Sequence, residues 1–503
     1  MFKRGLMFTL VVLGVISVSC KEDRKPNIIY ILTDDLGIGD VSSFNPESRF
    51  QTPNIDKLSE EGMRFTDAHS GSAVCTPTRY GVLTGRYSWR SVLKKGVAWS
   101  YDSSIIEPDR VTVADILQKN GYKTACIGKW HLGLNWKKDS ISTSPVDFTK
   151  NVEKGPNDFG FDYSYVIPAS LDIPPYVYIE NGMVTAQPDR ETESTSEYGW
   201  WRLGPTGSDF KHDNVLSEFS SRAVKYINDN KDVPFFLYLP LAAPHTPILP
   251  DAAHKGKSGL NEYGDFVMMV DEVVGNVTAA LKANGLDENT LIIFTSDNGC
   301  APYAGTKEME AKGHFSSMQY RGYKADIYEG GHRIPFIVKW TNQIVPGSRS
   351  DETICLTDFM ATCAHILNIP LADNMAEDSY DLSPILSGIP SSKSFREATV
   401  HHAMDGSFAI RKDNWKLILT SGSGGWKSEA NDLQIQNATS PFQLYNLKTD
   451  VGETKNVVDT YPEITEELRQ LLEKYVLEGR STPGEKQAYV KTDNWPGMDW
   501  LNE

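Results

Sequence analysis

Apolar runs rich in β-branched residues alternate with longer helical patterns as far as about residue 340, and this alternation constrains the fold more than any other feature of the sequence. Five runs are predicted to be buried strands, at 27–33, 123–127, 235–241, 291–295 and 334–340. Helices are predicted between them, at 54–61, 111–119, 215–228 and 263–283. Because parallel strands are joined by crossover helices, the pattern predicts an α/β fold in which helices cover both faces of a large, mostly parallel sheet.

The sequence pattern changes after about residue 390. Short strand-like segments and one amphipathic helix follow, at 408–412, 415–420, 443–446 and 463–476. They are typical of a small α+β unit, and a chain of 503 residues is long enough to form one beside a large core. We therefore predict a main domain at 25–390 and a C-terminal α+β subdomain at 391–503. The segment 139–207 is predicted to be a long ordered excursion over the main sheet.

The first twenty residues have the pattern of an export signal. Basic residues at positions 3 and 4 precede an apolar run at 6–18, which is too short to cross about 30 Å of hydrocarbon. Cys20 then resembles the lipid-attachment cysteine of bacterial lipoproteins. These features predict an exported protein of the bacterial periplasm or outer-membrane surface, whose contact with a membrane is only through a lipid anchor at Cys20.

Net charge and cysteine spacing exclude several classes of protein. Lys and Arg number 50 against 66 Asp and Glu, and a net charge of -16 disfavours nucleic acid as a partner. An anionic substrate would therefore need a local cluster of basic groups. The six cysteines contain no CxxC pair, so neither a zinc site nor a disulfide scaffold is predicted. Whether Cys355 pairs with Cys363 stays open.

Polar residues follow the predicted strands at the point where each strand ends. Ligands of parallel sheets bind beyond the carboxyl ends of the strands, so these residues are the candidates for a site. They are Asp34, Asp35, Lys129, His131, His245, Asp297 and Asn298. The carboxylates and the amide at 34, 35, 297 and 298 are hard oxygen ligands that suit Ca²⁺ or Mg²⁺. Taken singly, each pair is better explained as an Asp- or Asn-rich turn, and only in combination with the next motif do they indicate a metal site.

A second motif places a cysteine at the start of a helix. In Cys75-Thr-Pro77-Thr-Arg79, the proline fits the first helical turn, where its missing N–H is not needed. Cys75 is therefore predicted at a helix N-terminus, which favours negative charge. The alternative is a buried structural cysteine.

Together these motifs resemble the type I sulfatases of the alkaline-phosphatase-like superfamily. The resemblance extends from Asp34-Asp35 and Cys75-x-Pro-x-Arg79, which precedes Leu-Thr-Gly at 83–85, to Gly-Lys-Trp-His-Leu-Gly at 128–133. It continues through Pro-His at 244–245, Asp-Asn-Gly at 297–299 and the segment 322–331, in the order of the family. It implies an alkaline-phosphatase-like fold and a sulfatase domain at 25–390.

The resemblance also implies the roles of individual residues. Cys75 would be oxidised by a maturation enzyme to formylglycine, whose hydrated aldehyde supplies the nucleophile. The implied Ca²⁺ ligands are Asp34, Asp35, Cys75 in its modified form, Asp297 and Asn298. Arg79 and Lys129 would hold the modified residue, and Lys129 with Lys324 would bind the sulfate group. His245 would protonate the leaving sugar oxygen, and His131 would deprotonate the second hydroxyl to expel sulfate.

The substrate is expected to be a sulfated carbohydrate. The segment 167–176 resembles one found in sulfatases that act on 6-sulfated galactose or N-acetylgalactosamine, which implies 6-O-desulfation of glycosaminoglycan or mucin glycans. Asp172 and His212 are the candidate contacts to sugar hydroxyls, although a turn carboxylate and a surface imidazole explain them equally well. Two other functions stay open: a phosphodiesterase or phosphonate monoester hydrolase of the same superfamily, and a non-catalytic sulfoglycan-binding lipoprotein.

Overall fold

A ten-stranded sheet forms the centre of the molecule, and it is seen in a computed structural model that describes residues 24–138, 146–389, 395–426, 429–491, 495 and 497–501. The strands are β1 (Asn27–Asp34), β2 (Met63–Phe65), β3 (Ala68–His69), β4 (Lys123–Lys129), β5 (Tyr163–Ile167), β6 (Ile179–Glu180), β7 (Met183–Val184), β8 (Pro188–Ser194), β9 (Trp201–Gly207), β10 (Phe235–Pro244), β11 (Thr290–Ser296), β12 (Phe336–Lys339), β13 (Ser348–Ser350), β14 (Ile354–Cys355), β15 (Thr399–His402), β16 (Phe408–Lys412), β17 (Trp415–Ile418) and β18 (Gln443–Asn446). The helices are α1 (Pro53–Glu60), α2 (Cys75–Thr84), α3 (Val113–Lys119), α4 (Val215–Asp229), α5 (Glu262–Ala283), α6 (Thr306–Ala311), α7 (Glu329–His332), α8 (Phe359–Ile366), α9 (Ser383–Leu386), α10 (Glu429–Gln436) and α11 (Pro462–Glu478). The strand order of the large sheet is β13-β2-β12-β11-β1-β10-β4-β5-β6-β7.

The central strand β1 shows how the sequence builds this sheet. All eight of its residues are buried. Ile29 and Ile31 pack into the core on one face, whereas Ile28, Tyr30 and Leu32 pack into the core on the other. A strand covered on both faces needs an uninterrupted apolar run, which is what the sequence supplies. Because β1 pairs in parallel with β10 and β11, the carboxyl ends of these three strands lie at one edge of the sheet.

The α/β prediction is confirmed, with one added detail and one correction. The run at 334–340 forms β12, which pairs antiparallel to β11 because the chain returns from the end of β11 without a crossover. The segment 139–207 is not only an excursion: β5 extends the sheet in parallel beside β4, and β6 and β7 continue it. Strands β8 and β9 of the same segment form a separate hairpin.

The structure bears on two further points of the sequence analysis, the cysteine pair at 355 and 363 and the question of a membrane span. Cys355 and Cys363 are both buried free thiols. The predicted export signal at 1–20, including Cys20, lies outside the described residues. Across the residues that are described, we find no helix with both the length and the apolar character that a membrane span requires.

The C-terminal part of the chain forms a four-stranded antiparallel sheet, β15-β16-β17-β18, on which α11 packs. The predicted strands at 408–412, 415–420 and 443–446 correspond to β16, β17 and β18, while β15 was not predicted. This small sheet touches the main domain close to α2, because the Ala73 N–H donates to the His402 carbonyl. The C-terminal unit therefore supports the segment that leads into α2.

A buried network of charges and histidines joins the two parts. The Lys416 ammonium on β17 lies 3.1 Å from a Glu329 oxygen and 2.9 Å from a Glu453 oxygen, and all three side chains are fully buried. Lys416 also lies 3.0 Å from Nε2 of His332, whose ring stacks on that of His401 at 4.0 Å between centroids. Because charges in this position are shielded from water, each depends on its partners.

We expect Lys416→Met to destabilise the protein by about 3–5 kcal/mol, because it leaves the Glu329 and Glu453 carboxylates buried without their cation. Urea unfolding followed by circular dichroism measures this. The matched control is Lys412→Met, whose partner Glu467 is exposed and whose loss should cost less than about 1 kcal/mol. Equal effects of the two substitutions would show that the buried network contributes no special stability.

Stability should also fall in mild acid. Burial, reinforced by neighbouring histidines and Lys416, holds the pKa of His332 and of His401 well below the ordinary value of 6.5. Below about pH 6.5 the unfolded chain therefore takes up protons that the folded chain does not. The unfolding free energy that is present above that pH then falls, by up to about 1.4 kcal/mol for each pH unit and for each of these rings.

The unfolding free energy measured between pH 7.5 and 5 tests this dependence. His401→Gln should make the decline shallower, because it removes one of the buried rings whose pKa is lowered. His365→Gln, at a side chain that is 62% exposed, should leave the decline as it is. An unchanged slope in the His401 variant would refute the assignment.

Candidate active site

The residues predicted at the strand ends meet in one buried cluster. Thr33 and Ser296 are paired in the parallel register of β1 and β11, so Asp34 and Asp297 come next to each other at the sheet edge. Lys129 ends β4, which lies beyond β10 in the same sheet. The catalytic and metal residues predicted from the sequence are all at most 6% exposed: Asp34, Asp35, Cys75, Arg79, Lys129, His131, His245, Asp297, Asn298 and Lys324.

Arg79 fastens α2 to this edge of the sheet. Its Nε and one terminal nitrogen donate to Oδ2 of Asp297 at 3.0 and 2.6 Å, and its other terminal nitrogen donates to the Lys129 carbonyl at 3.0 Å. The guanidinium thus joins the helix that begins at Cys75 to the ends of β11 and β4. Both bonds to Asp297 end on one oxygen and are charge-assisted, and with the third bond to β4 they define the position of Cys75 relative to the sheet.

The two remaining cations pair with the two carboxylates at the end of β1. Lys129 donates to Oδ2 of Asp34 at 2.6 Å, and Lys324 lies 2.6 Å from Oδ1 of Asp35. Asp35 has a positive φ of 68°, a conformation that Asp tolerates better than most residues. The three carboxylates at 34, 35 and 297 therefore face three cations, and the formal charges of these six groups cancel.

Electrostatics within the cluster favour the arrival of a further cation. Burial opposes ionisation of Asp34, but the nearby basic groups, Lys129 first among them, together outweigh it and hold the pKa of that carboxyl well below its usual range. Burial, and then the negative charge of Asp34, raises the pKa of Asp297 to about 7. Two carboxylates held this close repel each other, and a divalent cation between them would relieve that repulsion.

The donor set fits calcium. Oδ1 of Asp34 and Oδ1 of Asn298 are buried oxygens without a hydrogen-bond partner among the described residues. Asp34, Cys75 and Asp297 each offer a ligand atom within 4.8 Å of the others. Carboxylate and amide oxygens are the ligands that Ca²⁺ prefers. Asp35 and Asn298 are themselves joined, since Nδ2 of Asn298 donates to Asp35 at 2.7 Å.

Cys75 is the first residue of α2 and is 2% exposed. Burial raises the pKa of its thiol, and the nearby Lys129 and Lys324 only partly oppose that effect. As a thiol, the side chain is thus kept protonated and unreactive. The predicted location of Cys75 at a helix N-terminus is thus confirmed.

His131 and His245 donate hydrogen bonds to backbone carbonyls through different ring nitrogens. Nε2 of His131 donates to the Ala98 carbonyl at 2.8 Å, which leaves Nδ1 as a buried acceptor without a partner in the described part of the chain. Nδ1 of His245 donates to the Thr246 carbonyl at 2.5 Å, so Nε2 faces the cluster, 3.7 Å from Asp35. Burial lowers the pKa of both imidazoles, and Lys129 or Lys324 lowers it further.

Tyr303 is a member of the site that the sequence analysis missed. Its hydroxyl lies 3.2 Å from Oδ2 of Asp35 and 3.5 Å from Nε2 of His245, and it accepts from Lys324 at 3.3 Å. The only signal in the sequence is that Tyr303 follows Asp297 by six residues, in the loop after β11.

The two predicted sugar contacts are placed differently. Asp172 is 6% exposed and forms an ion pair with Arg202, and its charge contributes to raising the pKa of Tyr303, after burial and Asp35. His212 stacks on Trp201 at 4.0 Å and contacts Tyr176 edge-on, and in the described part of the chain it makes no ring contact or ion pair with the catalytic cluster. Both remain predictions as sugar ligands, but only Asp172 is linked to the cluster by its charge.

Comparison with known proteins gives one consistent result. Residues 26–369 match the family model described as Sulfatase. The N-acetylgalactosamine-6-O-sulfatase of Bacteroides thetaiotaomicron is 34% identical over 490 residues, which cover 90% of this chain and 93% of that protein. Arylsulfatase A of Homo sapiens is 31% identical over 487 residues, which cover 92% of this chain and 90% of that protein. A solved structure described under the metabolism of multiple glycosaminoglycans by B. thetaiotaomicron has a TM-score of 0.79 and 33% identity, and covers 90% of this chain and 99% of that one.

Calcium should stabilise the folded protein, by about 2.7 kcal/mol at a hundredfold excess over its dissociation constant. The reason is that only the folded chain brings the candidate oxygen ligands together, so an ion that they hold would bind the folded state alone. Thermal melting with and without Ca²⁺ measures the shift, which Asp34→Asn should abolish. Asp378→Asn removes a buried carboxylate that pairs with Arg90 elsewhere, and it should keep the calcium response although it lowers overall stability. A response that survives in Asp34→Asn would place the ion elsewhere.

Proposed function

The chain belongs to the sulfatase family, a family of sulfuric ester hydrolases, and from this premise we propose that it removes 6-O-sulfate groups from galacto-configured sugars by way of a formylglycine at position 75. The observation that carries the proposal is the convergence of Cys75, three carboxylates and three cations at the carboxyl edge of one sheet. Family membership alone gives the class of reaction, and the geometry of the cluster supports the roles that we propose for its residues.

The cations of the cluster suit an anionic substrate. A sulfate monoester carries one negative charge, and the three carboxylates at 34, 35 and 297 already balance Arg79, Lys129 and Lys324. A calcium ion held by Asp34, Asp35, Asp297 and Asn298 would supply positive charge to the sulfate oxygens and to the nucleophile. Lys129 and Lys324 would then contact the sulfate, while Arg79 keeps α2 and residue 75 in place.

Oxidation of Cys75 would explain why a buried, protonated thiol stands at this position. A hydrated aldehyde presents two hydroxyls, one to attack sulfur and one to lose its proton so that sulfate is expelled as the aldehyde re-forms. An unmodified serine or cysteine would instead remain sulfated, and water would have to attack it. A formylglycine-generating enzyme is therefore the maturation partner that we propose.

His131 has the geometry of the base. Its Nε2 proton is committed to the Ala98 carbonyl, and its neutral ring leaves Nδ1 free to accept a proton. His245 has the position of the acid, with Nε2 directed into the cluster. Its lowered pKa keeps the free imidazole neutral, but a bound sulfate that offsets the charge of Lys324 would favour the protonated form.

The choice of sugar is supported by a relative and by the residues around the cluster. The N-acetylgalactosamine-6-O-sulfatase of B. thetaiotaomicron matches this chain over nine-tenths of its length. Arg202, which is paired with Asp172, and the indole rings of Trp99 and Trp200 near it offer polar and stacking contacts to a pyranose ring. We propose N-acetylgalactosamine or galactose of glycosaminoglycan or mucin glycans as the substrate, and an exported lipoprotein anchored through Cys20 as the form of the enzyme.

Sulfate release from matured protein tests the proposal. The substrates are 6-sulfated and 4-sulfated forms of N-acetylgalactosamine, galactose and N-acetylglucosamine. We expect turnover of 6-sulfated N-acetylgalactosamine and galactose, with little turnover of the 4-sulfated sugars. Activity confined to 6-sulfated N-acetylglucosamine would refute the choice of sugar.

Cys75→Ala should lower sulfate release at least about a thousandfold, because it removes the nucleophile. Cys126→Ala is the matched control, since Cys126 is an equally buried cysteine in β4 and should affect activity only slightly. Mass spectrometry of the peptide that contains residue 75 gives an independent reading. Full activity with an unmodified cysteine at position 75 would contradict the formylglycine chemistry.

A further inference from the structure

A basic group held between two indole rings lies beside the cluster. Arg202, at the start of β9, has its guanidinium 5.3 Å from the ring centroid of Trp99 and 5.1 Å from that of Trp200. The side chain is 43% exposed, and Trp99 is 49% exposed. We call these three residues with Asp172 the guanidinium clamp.

The clamp is joined to the catalytic cluster by the segment that carries Trp99. The preceding residue, Ala98, accepts from His131 through its carbonyl at 2.8 Å, and its N–H donates to Oγ1 of Thr76 at 3.2 Å. Thr76 follows Cys75 directly. On the other side, Ser100 donates to the carbonyl of Ile173, next to Asp172. Trp99 is therefore one residue away from contacts with both the predicted base and the nucleophile segment.

Arg202 is anchored on one side only. A single terminal nitrogen makes its ion pair with Oδ2 of Asp172 and also donates to the Asp172 carbonyl at 3.1 Å. Among the described residues, its Nε and its second terminal nitrogen have no hydrogen-bond partner, and Oδ1 of Asp172 is buried and unpartnered. Arg90 differs from Arg202, because its Nε and a terminal nitrogen donate to the two oxygens of Asp378 and so form a complete bidentate pair.

The exposed group of the clamp is thus a cation, whereas the carboxylate that the sequence suggested as a sugar contact lies beneath it. Free guanidinium donors match the two oxygens of a carboxylate or sulfate, and flanking indoles suit the apolar face of a pyranose. The chain carries a net charge of -16, so an exposed arginine beside the site is a local exception to its general repulsion of anions.

We infer that the guanidinium clamp binds an acidic sugar adjacent to the sulfated one, with Arg202 contacting the carboxylate or sulfate of that neighbour. The inference rests on the proposed function and narrows its substrate to anionic glycans. Asp172 acts in it as the residue that positions Arg202.

The test compares disaccharides whose 6-sulfated N-acetylgalactosamine is the same and whose neighbouring sugar differs. The neighbour is a uronic acid, the same sugar with its carboxyl reduced to an alcohol, a neutral hexose, or a sulfated hexose. We expect the intact protein to favour the charged neighbours in kcat/KM by about tenfold, an advantage that falls with added salt. Arg202→Gln should remove the advantage and leave the sulfated monosaccharide within about twofold.

Arg190→Gln is the matched control, because Arg190 lies on the other strand of the same hairpin, is 40% exposed and is outside the clamp. It should retain the preference. Preference for the uronic acid alone identifies a carboxylate as the ligand, preference for the sulfated hexose alone identifies a sulfate, and preference for both identifies any anion. An equal loss on every substrate in Arg202→Gln, or no preference in the intact protein, would overturn the inference.

Binding separates this inference from the proposed function. In the Cys75→Ala protein, calorimetry should show that Arg202→Gln raises the Kd of the uronic acid disaccharide about tenfold and leaves that of its carboxyl-reduced form unchanged. If this holds while the intact enzyme releases no sulfate from any of these sugars, the proposed function fails and the clamp stands. If sulfate is released but neither binding nor turnover depends selectively on Arg202, the clamp fails and the proposed function stands.

Discussion

The double hydrogen bond from Arg79 to Asp297 is the interaction on which the rest of the site depends. It ties the helix that starts at Cys75 to the end of one strand, and the third donor of the same guanidinium reaches the carbonyl at the end of another. The position of residue 75 relative to the carboxylates is thereby set by rigid elements rather than by a loop. Burial of the whole group strengthens each contact, and it also makes each charge dependent on its partner.

How much of this could be predicted from the sequence differs from residue to residue. Asp34 and Asp297 could be placed together because parallel strands end at a common edge, and their register follows from the apolar runs before them. Tyr303 could not, because its position depends on the path of an irregular loop. The antiparallel direction of β12 was missed for a similar reason, since an apolar run of this length does not reveal which way its strand runs.

The surroundings of the site were harder to predict than its centre. Asp172 was singled out as a sugar contact, but only the structure shows that Arg202, thirty residues later in the chain, covers it. The network around Lys416 likewise joins residues that are far apart in sequence, and no local pattern distinguishes them from surface charges. Motifs with a fixed spacing were readable from the sequence, whereas contacts made by distant side chains required the fold.

The burial of Cys75 limits when the chain can be matured. Every residue of α2 is buried, and the segment before it is bridged at Ser72 and Ala73 by His402, more than three hundred residues further along. If Cys75 is oxidised as proposed, the enzyme must reach it before this closure, while the polypeptide is still incompletely folded. At about 5–20 residues per second, that interval is on the order of tens of seconds. Rapid folding would therefore work against activation, and slow closure by the late C-terminal strands would favour it.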